Sequence, residues 1–198
     1  MNKSYLPRGW ELINIGNREC FMLIMGQSPP SRTYNTEGVG LPFFQGKAEF
    51  GNISPKPNKY CSEPLRIAEK DDVLISVRAP VAATNLAPCR CCIGRGLAAI
   101  RCKQKVLPRF LFYGLRSMEK YIAGSVWDQG GGFTAIRREQ LERVEIPLPP
   151  IPDQRRIVLR IEELTRCHDE LLRLLGEAEL ELGAFTPAIL TKAFRGEL

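Results

Sequence analysis

The 198-residue sequence predicts an α+β fold, with one mixed α/β domain at residues 1–149 and a long coiled-coil helix within residues 150–198. Three observations lead to this prediction. Short strand-like segments surround a few helices without regular alternation, which argues against a doubly wound sheet. Four prolines within positions 147–152 end the domain, because proline donates no backbone hydrogen bond. Apolar residues then recur every three or four positions, as in a helix that pairs with another helix.

Five segments of the domain carry the clearest signals for regular structure. Residues 10–15 alternate between apolar and polar side chains like a strand. Residues 72–78 and 96–101 are short apolar runs of the kind found in buried strands. Residues 108–123 have apolar side chains at helical spacing and begin with a proline, which suits the first helical turn. A short helix is predicted at residues 137–142.

The segment after the prolines is predicted to be a rod that pairs with a second helix. The apolar spacing averages 3.5 residues, which is the repeat of a coiled coil. We predict a helix from Pro152 to about Gly183, and a separate short helical segment from Pro187 to Phe194 that docks the end of the chain. The seam positions, which we predict to mediate dimerisation, are Ile157, Ile161, Leu164, His168, Leu171, Leu175, Ala178 and Leu182.

The distribution of charge favours an anionic partner for the domain. The formal net charge is +6, and residues 151–198 hold more acidic than basic side chains, so residues 1–150 carry the whole excess of Lys and Arg. A basic domain favours nucleic acid before a membrane, although basic chains are common and charge alone does not decide. No run of about 18 apolar residues and no signal-peptide core is present, so a cytoplasmic protein without a membrane segment is predicted.

The seven cysteines are predicted to be reduced thiols. Their number is odd and two of them are adjacent, which does not suit a disulfide framework. Cys89 and Cys92 have the spacing of a zinc-binding pair, with Cys61 and Cys102 as conceivable further ligands. A structural zinc site usually has a second close pair, and the sequence contains none. Small buried side chains on strands are the favoured interpretation.

No catalytic constellation emerges from the sequence. Residues 40–48 resemble a phosphate-binding P-loop, but the glycine spacing is too long by one and the residue after the lysine has no hydroxyl. Residues 28–31 resemble the base-stacking element of adenine methyltransferases, but lack its aromatic side chain. The sole histidine, His168, lies on the rod. Asp71 and Asp72 have no partner at a nuclease-like spacing and are predicted to form a solvated turn.

Nine short segments stand in an ordered series that covers almost the whole chain. They are Leu6–Trp10, Ser28–Asn35, Pro42–Lys47, Asp72–Val81, Cys92–Ile100, Phe133–Ile136, Ile146–Pro150, Gln154–Val158 and Lys192–Leu198. Each segment alone is weakly specific, but the ordered set resembles the specificity (S) subunit of type I restriction-modification enzymes. The resemblance implies a chain without catalysis that binds double-stranded DNA and reads one half of a bipartite target sequence.

The same resemblance implies partners and cofactors. The chain is expected to assemble with methyltransferase (M) and restriction/translocase (R) subunits, and S-adenosylmethionine, Mg²⁺ and ATP are expected only in those subunits. Family members carry two recognition domains and two spacer helices, whereas this chain has one of each. A natural half-subunit is therefore expected to form an antiparallel homodimer through the long helix. A fragment of a longer chain, a regulatory decoy and a stand-alone DNA methyltransferase are the alternatives, the last being disfavoured.

The predicted DNA-binding residues are basic, amide or aromatic side chains in loops rich in Gly and Pro or at strand ends. Arg, Asn and Gln can form paired hydrogen bonds with base edges, while Lys mostly contacts phosphate. The alternative is that Gln45 and Arg95 hold loops against the core and that the others are solvated. The predicted set is Arg32, Tyr34, Asn35, Gln45, Lys47, Arg78 and Arg95.

A second candidate for DNA contact is the glycine run at residues 130–132, flanked by Trp127 and Phe133. Three successive glycines can present their N–H groups to a phosphate as an anion-binding nest. The favoured interpretation is a flexible turn between two helices, with the two aromatic side chains anchored in the core.

Overall fold

The computed structural model describes residues 6–127 and 135–197 of the chain. The chain divides into two compact units, Met1–Arg155 and Arg156–Leu198. The strands are β1 (Glu11–Asn14), β2 (Phe21–Met25), β3 (Tyr34–Asn35), β4 (Leu41–Phe44), β5 (Tyr60–Cys61), β6 (Ile67–Ala68), β7 (Val73–Ser76), β8 (Thr84–Leu86), β9 (Cys91–Ile93), β10 (Leu97–Cys102) and β11 (Glu145–Leu148). The helices are α1 (Pro108–Ser117), α2 (Glu119–Trp127), α3 (Arg138–Glu142) and α4 (Ile151–Phe194).

The strands of the first unit form three sheets. Strands β1 and β11 pair antiparallel, so the segment after the N-terminus lies beside the segment before α4. A four-stranded antiparallel sheet has the order β2-β10-β7-β8, and a five-stranded sheet has the order β3-β5-β4-β9-β6 with one parallel pair, β4 and β9. The predicted α+β class is confirmed, because mostly antiparallel strands are combined with a few helices and no βαβ repeat.

Alternation along β4 and β9 creates two cores on the two faces of the five-stranded sheet. Successive side chains of a strand point to opposite faces. Phe44, Cys91 and Ile93 therefore pack with strands β7 and β10 in the larger core, while Phe43 and Cys92 join Cys61 in the smaller one. All of these side chains are fully buried. The adjacent cysteines at 91 and 92 are small buried residues on a strand, as the sequence predicts, and they lie in different cores. The same prediction is wrong for Cys89, which is exposed.

The helical segment predicted at residues 108–123 is divided in the structure. Helix α1 ends at Ser117, Met118 leaves helical geometry with ψ of 3°, and α2 begins at Glu119. The N–H of Met118 donates to the Leu115 carbonyl, which closes α1 with a tighter turn. Helix α1 covers strands β7, β8 and β10 with its apolar face.

Asp72 is buried and paired, so the prediction of a solvated turn is wrong for this residue. Its carboxylate is only 3% exposed and accepts two hydrogen bonds from Arg101, at 2.9 Å from Nε and 2.8 Å from Nη2. The backbone N–H of Glu69 donates to the same carboxylate at 2.8 Å. These bonds raise the pKa of the Arg101 guanidinium above its usual range. The pair links the start of β7 to the end of β10.

A buried glutamine fastens the start of α4 to the rest of the first unit. Gln154 has no exposed surface. Its Oε1 accepts a hydrogen bond from the N–H of Leu107 at 2.8 Å. Its Nε2 donates to the carbonyls of Lys105 at 2.9 Å and Pro149 at 2.8 Å. One side chain therefore joins the loop before α1, the proline segment and the first turn of α4.

Helix α4 continues through the positions where the sequence predicts an interruption. It contains Gly183 and Pro187 and ends at Phe194, so the predicted separate docking segment is part of the same helix. Proline removes one backbone hydrogen bond, here to the carbonyl of residue 183, while the bonds on both sides can still hold the helix. At 1.5 Å per residue, its 44 residues extend about 66 Å. None of the helices among the described residues has the length and apolar character needed to cross a membrane.

The predicted seam of α4 is largely exposed. Leu164, Leu171, Leu175 and Leu182 are between 51% and 71% exposed, and His168 and Ala178 are exposed as well. Ile157 and Ile161 are half-buried. On the side away from the seam, Arg173 bridges Glu170 and Glu177 at 2.7 and 2.5 Å. The helix thus presents an apolar stripe on one side and paired charges on another.

Candidate nucleic-acid interface

A cleft of about 420 Å³ lies where four connecting segments of the first unit meet. One segment follows β2, the second follows β4, the third follows β7, and the fourth is the turn between β9 and β10. Because β4 pairs with β9 and β7 pairs with β10, the ends of these strands are brought to the same place. The cleft is lined by Ser28, residues 45–49, Ser76, residues 78–80, Arg95 and Gly96.

The turn that carries Arg95 is closely packed against the loop after β4. A Cβ atom on Gly96 would lie 2.2 Å from the Gln45 carbonyl oxygen, so glycine alone allows this approach. The N–H of Arg95 donates to the Ser28 hydroxyl at 3.2 Å, and the N–H of Val77 donates to the Gly96 carbonyl at 2.9 Å. These contacts fix the turn, while the Arg95 side chain is exposed.

Arg78 follows β7 and is positioned through its backbone. The buried Ser76 hydroxyl donates to the Arg78 carbonyl at 2.8 Å. Arg78 also forms an isolated antiparallel bridge with Ala135. The next peptide bond, between Ala79 and Pro80, is cis. The backbone at Arg78 is therefore held on two sides, and its side chain is exposed.

The third cation of the cleft, Lys47, begins a short 3-10 helix at Lys47–Glu49. Glu49 is also in the cleft, and its carboxylate accepts a hydrogen bond from the N–H of Gly46 at 3.0 Å. The Lys47 amine lies 3.9 Å from the Glu119 carboxylate, and both side chains are substantially exposed. Such an exposed pair is weak, so Lys47 can exchange this partner for another anion.

The structure brings together four of the seven predicted DNA-binding residues. Gln45, Lys47, Arg78 and Arg95 all line the cleft, although they are up to 50 positions apart in sequence. Arg32 does not line it and lies exposed in the 3-10 helix Ser31–Thr33. Ser28, Ser76 and Glu49 also line the cleft, and their sequence context does not predict a place in this site. The glycines on both sides of Arg95 are the sequence feature that could have indicated a tight turn here. The Ser28 hydroxyl accepts its hydrogen bond from this turn.

Tyr34 and Asn35 have their polar atoms bonded inside the first unit. The Tyr34 hydroxyl donates to the Pro29 carbonyl at 2.6 Å, and its ring lies 4.7 Å from that of Phe43. Burial raises the pKa of this hydroxyl. The Asn35 amide donates to the Val39 carbonyl at 2.8 Å, while its oxygen accepts from the Val39 N–H at 2.9 Å. Both side chains shape the loops beside β3, and neither lines the cleft.

The glycine-rich candidate for phosphate binding lies outside the described part of the chain. Trp127 is the last residue of α2, and the segment 128–134 contains the three glycines and Phe133. Its role as a nest or as a turn stays a prediction. Within residues 6–127 and 135–197, no three His, Cys, Asp or Glu side chains cluster as a metal site requires.

Thiol reactivity provides a direct test of the cysteine environments. Burial raises the pKa of Cys91 and of Cys102 to about 12, and that of Cys92 to about 11, so these thiols stay protonated at pH 8. Cys89 and Cys167 are exposed. We expect two of the seven thiols to react rapidly with a disulfide reagent under native conditions. All seven should react in denaturant, and mass spectrometry of a brief reaction identifies the first two.

Rapid reaction of Cys61, Cys91 or Cys92 would contradict the burial of these cysteines in the two cores. A double variant, Cys89→Ser with Cys167→Ser, is the matched control, because it should remove the rapid phase and leave the slow phase unchanged.

The comparisons with known proteins agree with this architecture of a mixed α/β unit followed by a long helix. Residues 7–181 match the family described as the type I restriction modification DNA specificity domain. The chain belongs to this family, as its motifs suggest. This match includes the cleft, the proline segment and most of α4.

Individual relatives are similar over nearly the whole chain. The MjaX type I restriction enzyme specificity subunit of Methanocaldococcus jannaschii is 43% identical over 196 residues, which are 98% of this chain and 44% of the relative. The crystal structure of the HsdS subunit from Thermoanaerobacter tengcongensis is 46% identical with a TM-score of 0.80, covering 100% of this chain and 48% of that chain.

A third relative comes from a structural study of complex assembly and conformational transition of the type I R-M system. It is 48% identical with a TM-score of 0.83, covering 98% of this chain and 47% of that one. The chain thus spans about half the length of the relatives that it matches.

Proposed function

We propose that the chain is a DNA-recognition subunit of a type I restriction-modification system and that its first unit reads one half of a bipartite DNA sequence. The observation that carries this proposal is the match of residues 7–181 to the DNA specificity domain of these systems. In this proposal the chain performs no catalytic step. S-adenosylmethionine, Mg²⁺ and ATP bind to partner subunits.

The cleft supports duplex DNA as the ligand of the first unit. It gathers Lys47, Arg78 and Arg95 from three separate loops, and among the described lining residues only Glu49 has a carboxylate. Attraction of cations to phosphates provides most of the sequence-independent affinity of DNA-binding proteins. Gln45 adds a side-chain amide that can donate a hydrogen bond to a phosphate oxygen. Arg32 stands exposed outside the cleft and is the further candidate for a DNA contact.

The partners proposed for the chain are M and R subunits and a second copy of itself. Relatives carry the name of type I restriction enzyme specificity subunits, which supports the M and R subunits as partners. The exposed seam of α4 has the 3.5-residue spacing of a helix that pairs with another helix. We assign that pairing to an antiparallel homodimer through residues 157–182.

Selection from a randomised duplex library tests the proposed recognition. We expect the full chain to enrich one sequence pattern, because base contacts distinguish target from non-target DNA by about 4–10 kcal/mol in specific complexes. The measurement is sequencing of the bound fraction after successive rounds at physiological salt, followed by affinity measurement on the selected duplex.

Binding without enrichment would mean that the chain holds DNA but does not read it, and would refute the recognition role. A library of single strands with the same randomised segment is the control, since major-groove recognition requires a duplex.

A further inference from the structure

We infer that the cleft binds the sugar–phosphate backbone of DNA, with Arg78 and Arg95 as its phosphate contacts, and that it contributes affinity without reading sequence. This inference rests on the proposed function and specifies what one part of the first unit does. It separates Arg78 and Arg95, which contact phosphates, from the predicted DNA-binding residues outside the cleft, which can contact bases.

Charge is the first support. Arg78 and Arg95 come from different loops and line the same cleft. In the described part of the chain, no carboxylate lies within 4.0 Å of either guanidinium, whereas Arg101 and Arg90 each have a carboxylate at that range. Among the described lining residues Glu49 alone has a carboxylate, and it accepts a hydrogen bond from the N–H of Gly46. The cleft therefore has uncompensated positive charge facing solvent, which suits an anion.

Pre-organised backbone is the second support. The Arg95 turn is fixed by the Ser28 hydroxyl and by the close approach of Gly96 to Gln45. Arg78 is held through its carbonyl by the Ser76 hydroxyl. Because both backbones are already ordered, binding of an anion has to immobilise only the side chains, which reduces the entropy lost on binding.

The remaining lining points to the backbone of DNA and not to its bases. Ala48, Ala79, Pro80 and Gly96 offer no side-chain hydrogen-bonding group, and such surfaces can pack against deoxyribose. A base edge needs donors and acceptors in a defined pattern, and among the described residues of the cleft lining Gln45 alone has an amide side chain. The volume of about 420 Å³ is also large enough for a free nucleotide, so the test separates this source of phosphate from DNA.

The test measures how DNA affinity depends on salt in four forms of the full chain. They are the wild type, Arg78→Gln with Arg95→Gln, Arg78→Lys with Arg95→Lys, and a control, Lys70→Gln with Arg90→Gln, which removes two cations outside the cleft. Fluorescence anisotropy with two duplexes of unrelated sequence gives the slope of log K against log[salt]. Thermal unfolding confirms that every variant is folded.

We expect the glutamine pair to have a slope shallower by about 1 to 2, since each phosphate contact contributes about 0.9. The loss should be the same on both duplexes to within about twofold. The lysine pair should keep most of the slope, because lysine contacts phosphate as a point charge but cannot reproduce a bidentate arginine contact with guanine. The control pair should behave like the wild type.

Three outcomes would overturn the inference. One is a glutamine pair that matches the control on both duplexes. Another is a lysine pair that loses as much as the glutamine pair, which would indicate base reading. The third is loss of deoxythymidine monophosphate binding in the glutamine pair with an unchanged DNA slope, which would assign the cleft to a free nucleotide. Failure of the wild type to bind any duplex would instead refute the proposed function itself.

Discussion

Replacing Gln154 with alanine is expected to lower the free energy of unfolding by about 3–5 kcal/mol. The change removes three hydrogen bonds at once, those with the Leu107 N–H and with the Lys105 and Pro149 carbonyls. A buried polar group that loses its partner costs about 1–3 kcal/mol, and a cavity at a fully buried site adds to the loss. Chemical denaturation, with the slope m held in common, measures the difference.

Two further variants separate the hydrogen bonds from packing and from local helix propensity. Gln154→Met fills a similar volume without forming the bonds, and we expect it to be nearly as destabilised as the alanine variant. Arg155→Ala changes the exposed neighbour on the same helical turn and should shift stability by about 0.5 kcal/mol or less. A methionine variant as stable as the wild type would show that Gln154 acts through its volume alone.

The sequence marks Gln154 as part of a motif but does not reveal what the residue contacts. Its three partners belong to residues 105, 107 and 149, and the first two are 49 and 47 positions away in the sequence. Asp72 is a similar case, since its partner Arg101 lies 29 positions away on another strand. Sequence patterns indicate that a residue is polar, whereas the tertiary fold determines whether it is solvated or paired.

Sequence patterns predict a strand or a helix correctly where neighbouring residues in the sequence are enough to determine it. Strands β7 and β10 follow from short apolar runs, and the start of α1 follows from Pro108. No strand is predicted at β2, although Phe21–Met25 is a short apolar run of the same kind. Gly183 and Pro187 in α4 wrongly predict a break in the helix. The helix continues through both residues because the hydrogen-bonded turns before and after them are long enough to stabilise it.

The sequence predicts which types of side chain line the candidate site, but it does not predict which individual residues do so. The sequence predicts Gln45, Lys47, Arg78 and Arg95 as polar side chains in loops, and strand pairing places them in one cleft. Tyr34 and Asn35 satisfied the same criterion, yet their polar atoms bond to Pro29 and Val39. Whether a loop side chain is available to a ligand depends on such short-range bonds, which composition does not reveal.

Changing Leu164 and Leu171 together to glutamate is expected to convert the proposed dimer into a monomer. These side chains are 51% and 59% exposed in the single chain and would be buried in a paired seam. Full burial of a leucine contributes about 1.5–3 kcal/mol, and about half of each side chain is still exposed, so four leucines across two chains contribute about 3–6 kcal/mol. That loss corresponds to a dimer that is weaker by about 10²- to 10⁴-fold. Sedimentation velocity at micromolar concentration measures the change.

Leu180→Glu is the matched control for the seam. Leu180 is 76% exposed and lies on the opposite face of the same helix, about two and a half turns after Leu171. It should sediment as a dimer like the wild type, because its side chain points away from the proposed partner. A wild type that sediments as a monomer at micromolar concentration would end the homodimer proposal, whatever the variants do.

The direction of pairing can be tested with single cysteines placed on either side of His168. In an antiparallel dimer with the two His168 side chains at the axis, position 161 of one helix faces position 175 of the other. In a parallel dimer each position faces its own copy. Ile161→Cys and Leu175→Cys, each in a background of Cys89→Ser and Cys167→Ser, should therefore cross-link only when the two variants are mixed.

Cross-linking of either variant with itself would establish a parallel pair and refute the antiparallel arrangement. The result also bears on the DNA sequence. Each first unit precedes its own helix in the chain, so antiparallel helices attach the two units to opposite ends of the pair. A closed two-fold dimer presents the same reading surface twice, in inverted orientation. The sequence enriched by the selection experiment should then be palindromic in its two halves, with a constant spacer set by the length of the paired helices.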